Sequence, residues 1–387
     1  GAILASATIN LGAGTDTLTL GNFTNSATIS NVETLIGGTA ADTITLGSAM
    51  GGMTVDLGGG ADALTLANVA NTGTISNVET ITGGTANDTL TLATAMTSGI
   101  VNLGGGTDSI TLADGTNSAT ISNAEQIFGG SGADAIILGA VIAGATIDLG
   151  GGTDTLTLAN GTNSLSVGNV ETITGGSGAD TVTLTGALGT TAINLSGGAD
   201  TLVLGNFVNT GTVSNVEVIT GAAQADTITL ATAITSGTVN LAGGSDTLNL
   251  GNFANTLTVA GVETLNGGSA ADTVTFTGTI TGMTINMKGG IDQLNLANTA
   301  NTATVAGVEK IVGDAGADNI TISTSVSNGV FNLAGGTDSL TLQGALNTLS
   351  VSNIELVTGG TGSDTVTNTG TNAMSFLGGG GADSFTA

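Results

Sequence analysis

"SNVETITGGTANDTLTL", residues 76–92, sets two acids, Glu79 and Asp88, on either side of the glycine pair Gly83 and Gly84, and ends in an alternation of Thr and Leu. Alternation at period two puts Leu90 and Leu92 on one face of an extended chain and Thr89 and Thr91 on the other, the signal of a half-buried strand. The same stretch returns along the whole chain. Asp42, Asp88, Asp134, Asp180, Asp226, Asp272, Asp318 and Asp364 stand 46 residues apart, as do Asp16, Asp62, Asp108, Asp154, Asp200, Asp246, Asp292 and Asp338. A third series, Glu33, Glu79, Glu125, Glu171, Glu217, Glu263, Glu309 and Glu355, keeps the same step of 46. Only the last copy slips, with Asp383 six residues after Leu377 instead of five.

Each 46-residue unit reads as two related halves, "GGTAADTITLGSAMGGMTVDL" (37–57) and "GGGADALTLANVANTGTISNVETIT" (58–82). Both open on glycines and an Asp, then alternate, and no segment has a helical period with caps. Short strands between turns, repeated without gaps, predict an all-β chain. The architecture is a parallel β-solenoid in which each half is one rung, so the repeat is a double rung. Seventeen Asp-bearing turns, counting Asp383, predict about seventeen rungs and, at ~4.8 Å per rung, a rod roughly 80 Å long. Residues 1–387 are expected to be one continuous array. The chain starts inside a half-repeat, on Gly and not Met, and stops inside another, where a solenoid normally carries a polar cap. It therefore reads as a piece of a longer protein, or as a unit that joins end to end. The asparagines of "LGNFTN", "LANVAN" and "LGNFVN" (Asn22, Asn25, Asn68, Asn71, Asn206, Asn209) are expected to stack as amide ladders at a corner.

The 387 residues include 66 Gly, no Pro, Cys, His, Trp or Tyr, and only two cations, Lys288 and Lys310. A core must then be built from Val, Ile, Leu and Ala, which suit stacked strands. A net charge of −27 disfavours nucleic acid and anionic membranes, whose recognition rests on Lys and Arg. No apolar run reaches the ~18 residues of a membrane helix. Without cysteine there are no disulfides, so an exported form must be stabilised by other means.

In-register rungs would align the turn aspartates in one column at ~5 Å spacing. Neighbouring charges there repel by ~1 to 3 kcal/mol, so sixteen neighbour contacts cost on the order of 15 to 50 kcal/mol, beyond the net stability of a typical domain. The column needs cations, and Ca²⁺ is the natural one, since it takes carboxylates and backbone carbonyls from flexible turns. The candidate metal ligands are Asp16, Asp42, Asp62, Asp88, Asp108, Asp134, Asp154, Asp180, Asp200, Asp226, Asp246, Asp272, Asp318, Asp338, Asp364 and Asp383. Asp292 stands apart, because in "KGGID" Lys288 is four residues away and would serve as its cation. The competing role for these aspartates is to cap turns by accepting backbone N–H groups.

"GGSGADAII" (129–137), "GGSGADTVT" (175–183) and "GGTGSDTVT" (359–367) match the nonapeptide G-G-x-G-x-D-x-U-x. In these words the chain resembles the RTX, or haemolysin-type, calcium-binding repeat proteins, and the resemblance touches every rung. It implies a right-handed β-roll with calcium between successive turns, and export from a bacterium by type I secretion. Three departures stand against it. The motif appears once per half-repeat instead of in tandem, its fourth glycine is Ala40, Ala86, Ala270 or Gln224 in some copies, and the "GGGTD" turns are one residue shorter.

The Glu series reads as a solvated outer face, with a lateral contact or a further cation site as the alternatives its regularity leaves open. The Thr-x-Thr pairs after Asp, among them Thr43 with Thr45, Thr89 with Thr91 and Thr227 with Thr229, predict a flat outward array, interrupted at Ala63, Ala135, Val203 and Gln293. No catalysis is expected, since the repeat has no break that builds a unique site and lacks His, Arg, Tyr and Cys. The reading is a non-enzymatic structural extracellular protein, calcium-stabilised and self-associating, in a surface layer, sheath or filament. The alternatives are the extender stalk of a large RTX-type adhesin, and ice or crystalline-surface binding through the threonine face.

Overall fold

The structure, a computed structural model, describes residues 3–387. These form 42 strands and no helix. Contacts divide the chain into two compact units, the first running to Gly186 and including Thr191–Gly198, the second comprising Ala187–Thr190 and Ala199–Ala387. Each unit is a parallel β-solenoid of 21 strands: Ala7–Asn10 to Ala192–Asn194 in the first, Thr201–Val203 to Ser384–Thr386 in the second.

Within a unit, consecutive strands alternate between two sheets, and each pairs with the strands two places before and after it. Thr43–Leu46 lies between Ser26–Ser30 and Ala63–Thr65, while Met53–Gly58 lies between Thr34–Gly38 and Thr72–Ser76 in the other sheet. All these pairings are parallel, and one turn of the coil is two strands. The register step is 17 or 20 residues, as in Ala27↔Ile44 and Ile44↔Leu64, and 19 at the slipped last copy, as in Thr365↔Ser384.

These steps revise the double-rung repeat. Between Asp42 and Asp88 the chain forms five strands, Thr43–Leu46, Met53–Gly58, Ala63–Thr65, Thr72–Ser76 and Thr80–Thr82. The 46-residue repeat is therefore two and a half turns, not two. At two strands per turn, 42 strands make about 21 turns where the halves predict about seventeen. The extra half-turn arises in "GTISNVETIT", which alternates like one strand but is two, Thr72–Ser76 and Thr80–Thr82. Between them Asn77 takes the left-handed conformation at φ 52°, as do Asn31, Asn123 and Asn169 at 50° to 54°. Asn tolerates this region better than most residues because its short amide bonds locally.

Inward residues form continuous aliphatic columns. Ala27, Ile44, Leu64, Ile81, Val101 and Ile121 are successive register partners in one sheet of the first unit, and all are buried. The turns bring backbones into contact: a Cβ on Gly37 would lie 2.1 Å from the carbonyl oxygen of Leu57. A side chain there would push two turns apart.

Candidate functional site

Because one repeat is two and a half turns, equivalent aspartates fall alternately on two sides. In the first unit, Asp42, Asp62, Asp134 and Asp154 precede strands of one sheet; Asp16, Asp88, Asp108 and Asp180 precede strands of the other. In the second unit, Asp226, Asp246, Asp318 and Asp338 precede one sheet, and Asp200, Asp272, Asp292, Asp364 and Asp383 the other. The single column expected from the sequence does not form, and its run of like-charge neighbours breaks into short groups of Asp, Asp and Glu.

What forms instead is a recurring buried stack of Asn, Asp, Asp and Glu on successive turns. Asn71 donates to Asp88 Oδ1 from its backbone N–H at 2.9 Å and from Nδ2 at 2.8 Å. The Asp88 N–H donates to Asp108 Oδ1 at 2.7 Å, and the Asp108 N–H to Glu125 Oε2 at 2.8 Å. Above the stack, the Met50 N–H donates to Asn71 Oδ1 at 3.2 Å, and Asn71 Nδ2 also reaches the carbonyls of Ala67 and Val69. Each side chain thus accepts the backbone N–H of the residue at the same place one turn earlier. The pattern repeats in Asn25-Asp42-Asp62-Glu79, Asn117-Asp134-Asp154-Glu171 and Asn301-Asp318-Asp338-Glu355. It holds at the slipped last copy, where the Asp364 N–H donates to Asp383 Oδ1 at 2.9 Å.

Two assignments change. The Glu series is not simply a solvated outer face: Glu79, Glu125 and Glu171 are half-buried and close their stacks, and the exposed Glu33 and Glu263 close theirs by the same bond. The asparagines expected to ladder do not do so, and Asn–Asn bonds form at other corners, as from Asn123 Nδ2 to Asn102 Oδ1 at 2.7 Å. Asn25, Asn71 and Asn209 are buried and head the stacks, whereas Asn68 faces outward and caps the next turn by accepting from the Thr85 N–H and Oγ1. The spacing carried this information, since Asn71, Asp88, Asp108 and Glu125 are separated by 17, 20 and 17 residues, the register steps themselves.

Burial raises the second aspartate of the stack. Asp62, Asp108, Asp246 and Asp292 are lifted from 3.8 to about 6, by desolvation first, partly offset by the N–H bond from the preceding Asp. The charges of the Asp before and the Glu after add to the rise. Lys288 does not relieve Asp292: its side chain is exposed, while Asp292 is buried with Oδ1 accepting from the Asp272 N–H and Oδ2 without a hydrogen bond.

For calcium the donor set is mixed. Oδ2 of Asp42, Asp62, Asp88, Asp108, Asp134 and Asp154 is buried and without a hydrogen-bond partner, so a cation would find an unanswered oxygen there. Yet a calcium shell takes about six to eight oxygens, and among the described residues no three acidic side chains converge on a point. The other carboxylate oxygen faces N–H groups, which repel a cation. The stacks cap backbone more completely than they cage a metal.

The outward faces carry threonine. In the second unit Thr210, Thr227, Thr247, Thr264, Thr284, Thr304, Thr321, Thr341 and Thr358 are consecutive register partners in one sheet. In the first unit Thr17, Thr34, Thr54, Thr74, Thr91 and Thr111 do the same. The expected two-rank array is one unbroken rank with a mixed neighbour, Thr212, Thr229, Asn249, Asn266, Asn286 and Ala306. No protein-family model and no curated protein sequence matches the chain.

Proposed function

We propose that this chain is a structural, non-enzymatic segment of a bacterial extracellular assembly, a surface layer, sheath or filament, exported by an RTX-type route. The observation that carries the reading is the pairing of internally capped carboxylate stacks with uncharged threonine columns on the outside. Much of the polar chemistry of the repeat is spent on holding turn to turn, and the strands present outward threonine columns suited to lateral association. Cations, calcium foremost, neutralise the net charge of −27 that two lysines cannot. Support for calcium comes from that charge balance and the unanswered Oδ2 atoms, not from a carboxylate cage.

Electron microscopy of the native source tests the assembly. A regular lattice or filament is the expected result; isolated long molecules would favour the extender stalk of a large adhesin. The nine-threonine column gives ice or another crystalline surface a specific footing as a further reading. Ice crystals grown with the purified chain decide it, and unshaped crystals remove it.

A further inference from the structure

At one corner the repeat departs from its own pattern and widens a cleft. In the second repeat the Asn77 N–H donates to Thr94 Oγ1 at 2.7 Å, and the cleft these residues line measures only about 40 Å³. The equivalent residues four repeats later are Gly261 and Gly278, and of the eight copies only this one has glycine at both places. With both side chains gone, the cleft widens to about 210 Å³. Its floor is apolar and buried, built from Val259, Val262, Phe276, Ile280 and Met283. The one ionisable group on its wall is Glu263, which is exposed where Glu79 is half-buried. Its carboxylate is held in place by Oε2, which accepts the Asp246 N–H at 2.7 Å.

We propose that this pocket binds a small organic cation, an ammonium group with a compact aliphatic body. The volume is that of roughly seven water molecules at about 30 Å³ each, enough for such a ligand and too little for a sugar chain. The apolar floor takes the carbon body, and the anchored carboxylate takes the positive charge without further ordering. The field of a strongly acidic chain concentrates cations at its surface.

Choline is the probe, with its neutral analogue, carbon in place of nitrogen, as the control. Calorimetry and the methyl NMR signals of Ile280 and Met283 are followed in the native chain, G278T and E263Q. A Cβ at Gly278 meets nothing within 4 Å, and in the copy at Gly307 a threonine hydroxyl already accepts the equivalent N–H at 3.1 Å, so G278T folds with the pocket closed. E263Q keeps an oxygen for the Asp246 N–H while removing the charge. The expected result is one saturable choline site, weakened roughly tenfold or more by each substitution and similarly weak for the neutral analogue. Absence of saturable binding and of methyl shifts in the native chain, or binding unaltered by G278T, overturns the proposal.

Discussion

The backbone N–H of Asp42 donates to the carboxylate of Asp62 one turn later, at 2.7 Å. This bond ties adjacent turns through a side chain, in addition to the strand ladders on either side. It also fixes what Asp62 can be exchanged for. Asp62→Asn keeps an acceptor for the N–H and removes a buried charge, so at neutral pH its melting temperature is expected at or above that of the parent. Asp62→Ala leaves the Asp42 N–H unanswered and should lose ~1 to 3 kcal/mol in urea unfolding. Equal losses in the two variants would mean that the charge, not the hydrogen bond, holds the turn.

The raised carboxyls set a pH dependence. A group that holds its proton more tightly in the folded state contributes stability below its unfolded pKa, and that contribution is lost as the pH rises through the folded one. For Asp62, Asp108, Asp246 and Asp292 the window runs from 3.8 to about 6. In the presence of a chelator, the melting temperature should therefore rise as the pH is lowered from about 7 to about 4. The quadruple variant D62N/D108N/D246N/D292N should flatten that slope. A melting temperature that falls steadily over the same range would contradict the burial argument.

Calcium binding is tested by melting the purified chain, followed by far-UV dichroism, with calcium and with a chelator at matched ionic strength. Calcium is expected to raise the midpoint, since a ligand bound only by the folded state stabilises it. An unchanged midpoint removes calcium from the account and leaves the stacks as backbone caps alone.

The left-handed corner after each "DL" or "NL" strand separates early repeats from late ones. It is Gly12, Gly58, Gly104 and Gly150 at first, but Ser196, Ala242, Lys288 and Ala334 later, at φ 64° to 69°. A non-glycine residue there is strained by ~1 to 2 kcal/mol. A242G and A334G are expected to stabilise the chain by about 1 kcal/mol each in urea unfolding, after the flexibility cost of glycine. The reverse change G58A should be severe, because its Cβ would lie 2.1 Å from the Gly38 carbonyl oxygen.

Strand positions, the inward aliphatic columns and the parallel coil were legible in the alternation of residues such as Leu90 and Leu92 with Thr89 and Thr91. The turn count was not, because Asn77 breaks a stretch whose alternation continues on either side of it, and a left-handed corner leaves no mark on hydrophobic periodicity. That one hidden corner placed every aspartate in a single column and left Glu79 outside it. Once the steps of 17 and 20 are known, Asn25, Asp42, Asp62 and Glu79 fall into one stack by subtraction. The pocket at Gly261 and Gly278 was equally present in the residue series, but its meaning depends on the hydrogen bond that Asn77 and Thr94 make in its sibling.

A repeat of 46 residues that closes on a half-turn gives each unit a twofold screw. Within a unit, whatever one repeat displays, the next displays in the opposite direction. Gain or loss of one repeat in the gene keeps the strand ladders yet reverses the facing of the repeats that follow in the same unit. Only changes by pairs restore it.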